Sequence, residues 1–166
     1  DVYNLPFRDS WYKALARYVL SQADQVTTVS RFNAEKLLSL GVSSNRLHVI
    51  PNGYDEKLFN PIPLREARKK LGLPLNKKVL LSVGNLVDVK GYTYLVEAMP
   101  IVLKKRNDVI LAIVGSGSLK ERLQKKAKEL GLKGRILFVG AKKHAEIPMW
   151  MNASDLFVLP SLSEGF

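Results

Sequence analysis

The 166-residue chain is long enough for one ordinary domain or parts of two, and its 46% hydrophobic content is that of a core-forming sequence, which excludes a disordered one. The absence of cysteine excludes disulfides and thiolate metal sites, and no apolar run is long enough to cross a bilayer as a helix. The formal net charge of +11, from 26 basic and 15 acidic residues, is the one extreme property.

The basic residues fall in "REARKK", "LKKRN", "LKERLQKKAKELGLKGR" and "AKKH", which read as helix faces and loop turns. The first reading of that charge is a solvated, lysine-rich surface. The sharper reading is peripheral association with a membrane surface rich in anionic lipid. Nucleic acid is not an expected partner, because the basic stretches carry almost no interleaved aromatics for base stacking. The opening stretch "DVYNLPFRDSWYK" does not read as a targeting leader. The absence of cysteine fits a reducing interior, and a cytoplasmic location is expected.

In chain order, "SWYKALARYVLSQA" predicts an amphipathic helix with Ser10 as its cap, and the β-branched "QVTTVS" predicts a strand. Ser30 is placed to cap "RFNAEKLLSL", which Gly41 closes. "RLHVI" reads as a second strand ended by the turn "PNG", and "YDEKLFNPIP", with neither helical nor strand period, reads as a linker. Beyond it the rhythm is regular. Pro63 opens a helix over "LREARKKLG", followed by the strand "KVLLSVG", the helix "GYTYLVEAMPIVLKKR" and the strand "VILAIVG". The helix "SLKERLQKKAKELG" carries a capping box from Ser118 and Glu121 and stops at Gly131. The strand "RILFVG", the short helix "HAEIPMWMNA" and a buried strand from Leu156 to Leu159 complete the series. Apolar strands alternating with helices require a parallel sheet covered on both faces, hence a doubly wound, Rossmann-like α/β domain.

In the common doubly wound order the first strand of such a unit lies between the second and the fourth, and a ligand crevice opens outside the carboxyl ends of the first and fourth. The facing loops are then "GNLVDVKG", after Val83, and "SLSEGF", after Pro160. Their chemistry suits an anionic ligand bearing hydroxyls. Gly84 admits a close backbone approach, and Lys90 can set an ammonium on a phosphate, although it reads equally as a solvated loop lysine. Gly165 and Phe166 would offer amides at the mouth of a following helix. Glu164, acceptor-only when ionised, suits sugar hydroxyls, or else only stabilises a helix dipole. The loop "VGSGSLKERL" fails the dinucleotide fingerprint, with Lys120 at its third glycine position, and no loop ends in a Walker Gly-Lys-Ser/Thr. His48 and His144 lack partners of metal-ligand or triad spacing, so a structural or surface role is expected for both.

The segments "ADQVTTVS", "GVSSNRLHVIPNGYD", "LLSVGNLVDVKG", "LAIVGSGSL", "ILFVG" and "ASDLFVLPSLSEGF" together resemble, in order and approximate spacing, the retaining glycosyltransferases of the GT-B fold, group 1 or family 4. The resemblance implies two Rossmann-like domains. Residues 1–57 would be the tail of an acceptor domain, and 58–166 a donor domain lacking its last elements. The substrates implied are a nucleotide-diphosphate sugar and a glycan or lipid-linked glycan acceptor, with neither cofactor nor metal required. Lys90 would neutralise the donor diphosphate; the family often has arginine where this chain has Asn85. Gly115 and Gly117 would approach the donor, while Val139, Gly140 and Ala141 would meet the base through backbone. Glu164 matches the first glutamate of a Glu-x7-Glu motif and would hold the transferred sugar, with Gly165 and Phe166 beside it. The second glutamate and the acceptor-domain histidine fall outside the sequence, so the chain alone is expected to be inactive and to self-associate through uncovered apolar faces. The competing reading is a remnant that binds a nucleotide or a membrane without chemistry.

Overall fold

The apolar runs "KVLLSV" and "VILAIV" pair along their whole length as parallel strands, Lys78 opposite Val109 through Val83 opposite Val114, and the larger sheet grows outward from them. The computed structural model describes residues 10–164. They divide into two units, residues 10–54, with which Glu164 groups, and residues 55–163.

In the first unit, α1 (Ser10–Gln22), β1 (Val26–Thr28), α2 (Arg31–Ser39) and β2 (Leu47–Val49) follow the expected order. The strands pair in parallel, Val26 opposite Leu47. Ser30 caps α2 as expected, its hydroxyl accepting from the Asn33 amide at 3.2 Å. Ser10 differs from expectation: the helical hydrogen bonding already includes it, so it is the first residue of α1 and not its cap. His48 stands exposed on β2, a ring nitrogen 2.7 Å from Gln25 Oε1, in the surface role expected of it.

The second unit contains α3 (Leu64–Leu71), β3 (Lys78–Val83), α4 (Tyr92–Lys105), β4 (Val109–Val114), α5 (Lys120–Glu129), β5 (Ile136–Gly140), α6 (Ile147–Ala153) and β6 (Leu156–Phe157). All four strands are parallel, in the order β5-β4-β3-β6, so β3 lies between β4 and β6 as the doubly wound reading requires. Every residue of β4 is buried because both faces are covered. On one face Val109, Leu111 and Ile113 pack with Tyr92, Leu95, Val96 and Met99 of α4 and with Leu123 and Ala127 of α5. On the other, Ile110, Ala112 and Val114 meet Ala67 of α3 and Trp150 and Ala153 of α6.

Two expectations are corrected. The Ser118–Glu121 capping box does not form. The helix starts one residue later, with Leu119 at the cap position and no side-chain cap. The buried Leu119 side chain and its amide, which donates to the Leu86 carbonyl at 3.0 Å, fix that start. The last strand is neither long nor buried. Only Leu156 and Phe157 pair with β3, and both are exposed with Leu159, because β6 is the outer strand on its side of the sheet. Val158 alone of this stretch packs against the core.

The segment between the units is tied down. Asp55 Oδ1 accepts from the Lys57 and Leu58 amides at 2.9 and 3.2 Å. Asn152 of α6 accepts from the Ile62 amide at 3.0 Å and donates to the Asn60 and Pro148 carbonyls at 3.0 and 2.9 Å.

One buried charge joins both helices of its layer to the sheet. Arg68 of α3 is 2% exposed. It donates to the Ala153 and Lys77 carbonyls at 2.9 and 2.8 Å and forms an ion pair with Asp155, just ahead of β6. The Asp155 carboxylate also accepts from the Val79 amide at 2.7 Å and from Lys78 at 3.0 Å. Desolvation alone would raise its pKa; the bonds from Val79, Lys78 and Arg68 outweigh that and hold it below the usual carboxylate range. A group so depressed stabilises the fold above its unfolded pKa of about 3.9, and that contribution is lost as pH falls through the folded value. Arg68→Met, which strips a donor from the Ala153 and Lys77 carbonyls and leaves Asp155 short of a partner, should cost about 2 kcal/mol in urea unfolding at neutral pH. Asp155→Asn should be less stable than the parent near neutrality. Its stability should fall less steeply on acidification below about pH 5, because the residue that titrates is gone.

Candidate functional site

At the carboxyl end of the sheet the loops are locked to one another through backbone. Gly84, directly after β3, donates to the Val114 carbonyl at 3.0 Å, and Leu86 donates to Ser116 at 2.9 Å. Gly115 donates to the Gly140 carbonyl at 2.9 Å. The contacts are so close that side chains are excluded. A Cβ at residue 115 would overlap the Gly84 carbonyl, one at 117 the Leu86 backbone, and one at 91 the Pro160 carbonyl. The loop after β3 and the loop after β6, expected to face each other, do meet. Besides the Gly91–Pro160 contact, the Leu162 amide donates to the Val89 carbonyl at 2.8 Å.

On the other flank of the β3 loop a cleft of ≈ 280 Å³ opens between the ends of β3, β4 and β5. Val83, Gly84 and Asn85 form one wall, Val114, Gly115 and Ser116 the floor, and Ala141, Lys142, His144 and Ile147 the far side. Four expected site residues, Gly84, Asn85, Gly115 and Ala141, therefore line one cavity. Others serve elsewhere. Gly117 packs on Leu86, Gly140 accepts from Gly115, and Val139 lies against the core cluster that contains Trp150. Lys90 is half-buried, ending the 3-10 turn Asp88–Lys90. Glu164 is half-buried and groups with the first unit. Gly165 and Phe166 lie outside the described residues.

Of the lining residues that the sequence reading did not select, Lys142 and His144 are the ionisable ones. Among the described residues no carboxylate lines the cleft, and its basic side chains are Lys142 and His144. Lys142 Nζ lies 3.4 Å from Glu146, whose carboxylate also accepts from the Lys143 amide at 2.9 Å. That backbone bond, then the lysine neighbours, hold the Glu146 pKa below its usual value against desolvation. The His144 ring rests against Phe59, centroids 5.2 Å apart. Their signal in the sequence was slight: basic residues just past a strand's carboxyl end, in a stretch read as helix start. Among the described residues no group of three or more His, Asp or Glu side chains could hold a metal ion, and no helix is long and apolar enough to cross a membrane.

The family model "Glycosyl transferases group 1" matches residues 64–166, and that of "Glycosyltransferase Family 4" matches residues 2–58. The chain is 32% identical over 151 residues to a GDP-mannose-dependent alpha-(1-6)-phosphatidylinositol monomannoside mannosyltransferase of Mycolicibacterium smegmatis, covering 90% of this chain and 39% of that protein. It is 32% identical over 158 residues to D-inositol 3-phosphate glycosyltransferase 1 of Catenulispora acidiphila, covering 89% and 38%. Of solved structures, sucrose-phosphate synthase from Thermosynechococcus elongatus superposes with a TM-score of 0.80 at 29% identity, over 96% of this chain and 40% of that one. Anabaena HepE, in complex with UDP and glucose, gives 0.80 at 24% identity over 99% and 45%, a likeness of fold alone. The chain thus spans about two fifths of the length of these curated relatives.

The locked loops predict unequal costs for glycine substitution. Gly131, past the end of α5, has φ +69° with nothing within 4 Å of a Cβ, so Gly131→Ala should cost about 1 kcal/mol of backbone strain. Gly115, at φ +150°, adds overlap with a neighbouring carbonyl, so Gly115→Ala should cost about 3 kcal/mol or more in thermal or urea unfolding.

Proposed function

The chain belongs to the group 1 glycosyl transferases, of GT-B fold, and from that premise we propose that its protein transfers a sugar from a nucleotide-diphosphate sugar to an acceptor with retention of anomeric configuration. Residues 58–166 hold the donor in this reading, and residues 1–57 belong to the acceptor side. The observation that carries it is the cleft at the carboxyl ends of three parallel strands, walled by glycine backbone and, among the described residues, lined by no carboxylate. Such a cavity lets a flat base or a polyanion approach the main chain closely at the carboxyl end of the sheet.

In this reading Lys90 neutralises charge that builds on the departing diphosphate, and Glu164 accepts hydrogen bonds from the transferred sugar. Gly165 and Phe166 add amides beside it. Ammonium groups and backbone amides take the part that a divalent ion plays in other sugar transferases, so no metal or organic cofactor is required. The names of the mannosyltransferase and inositol phosphate glycosyltransferase relatives favour a glycan or lipid-linked acceptor. A cytoplasmic protein working at an anionic membrane surface fits that acceptor and the net charge of +11.

Titration calorimetry of this chain against UDP, GDP and ADP tests the reading. One of the three should bind, and Lys90→Ala should weaken it by about tenfold, the worth of one charge-assisted hydrogen bond. A folded chain that binds none of them would sink the proposal.

A further inference from the structure

The geometry points to Lys142 as the cation that an anionic ligand meets in the cleft, with Glu146 as the partner it gives up when that ligand arrives. The inference rests on the donor-cleft reading above and assigns a residue that neither spacing nor resemblance singled out. Among the described residues that line the cleft, Lys142 and His144 are the basic ones, and of the two Lys142 carries an ammonium with three donors on a long flexible stem. Asn85, on the opposite wall, offers an amide and no charge.

The ammonium is held loosely. Its Nζ stands 3.4 Å from Glu146 Oε1, longer than the roughly 2.7–2.9 Å of a strong charge-assisted hydrogen bond. Both side chains are partly exposed, 31% for Lys142 and 47% for Glu146, so the pair contributes little in water and is readily exchanged. Glu146 does not depend on Lys142 for its place. Its other oxygen accepts the Lys143 amide at 2.9 Å, closing the 3-10 turn His144–Glu146. Glu146 therefore stays put when Lys142 leaves, and it stands beside the cleft without lining it. A phosphate in the cleft would offer Lys142 more negative charge and shorter contacts than this carboxylate does.

The two partners should then respond in opposite directions. Lys142→Ala removes the cation and should weaken binding of whichever of UDP, GDP or ADP the parent chain takes by about tenfold. Glu146→Gln keeps an oxygen for the Lys143 amide but no longer competes for the ammonium, and it should tighten the same ligand severalfold. Lys142→Gln, which keeps a long polar side chain, one atom shorter, without its charge, should behave as Lys142→Ala does, and circular dichroism should find all three variants folded like the parent. Parent-like affinity in both Lys142 variants, or weaker binding in folded Glu146→Gln, would overturn the inference while the donor-cleft reading stood. A parent chain that binds no nucleotide would overturn both.

Discussion

The Gly84 carbonyl occupies the space in which a side chain at residue 115 would begin, and the carboxyl end of the sheet is organised around that contact. The two strands run in register to their last residues, Val83 opposite Val114, so their loops leave the sheet side by side and must pass one another at once. Only backbone can pass that closely. The loop after β3 is pinned on one flank by Gly115 and Gly117 and on the other by Pro160 and Leu162, and Leu86 is driven inward to be almost fully buried beneath it. What remains open is the cleft over the ends of β3, β4 and β5, whose shape is set by main chain.

Charge in the molecule is distributed against that backbone frame. The ion pair between buried Arg68 and partly exposed Asp155 sits at the amino end of β3, beside Val79, where it ties α3, the end of α6 and the approach to β6 together. The cleft at the opposite end has no lining carboxylate among the described residues, and that of Glu146 beside it is bonded to a backbone amide and to Lys142. One end of the strand thus spends its ionic interactions on architecture and the other keeps its cations where a ligand could reach them.

Periodicity and capping made most of the fold legible. Continuous apolar runs of strand length separated by helical stretches lead to a parallel sheet, and the order β5-β4-β3-β6 follows from the general winding rule. Ser30 capped as its residue type predicts. Ser118 did not, because a buried leucine and a long-range backbone bond chose the start of α5 over a local side-chain bond. Leu156 to Leu159 read as buried from composition alone, whereas burial depends on which strand takes the outer position. In the site, glycines announced the close loops but not what approaches them; Gly117 meets another loop's backbone. Lys142, His144 and Arg68 were invisible for one shared reason. A lysine past a strand, a histidine at a turn or an arginine on a helix acquires its role from neighbours far along the chain, and Arg68 reaches its aspartate across 87 positions.

The pairing of β3 with β6 also sets an order of events in time. The Val79 amide waits for the Asp155 carboxylate 76 positions later, whereas β4, its other neighbour, follows within one crossover helix. During synthesis β3, β4 and β5 can associate first, burying the face beneath α4 and α5, while the β6 side of the sheet is still an open edge. Closing that long loop is the entropically slow step, and until it happens Arg68 lacks its carboxylate and Gly91 lacks the backbone on which it rests. A chain whose β6 has not docked would have a sheet but no finished rim, with that edge open to pairing with another strand.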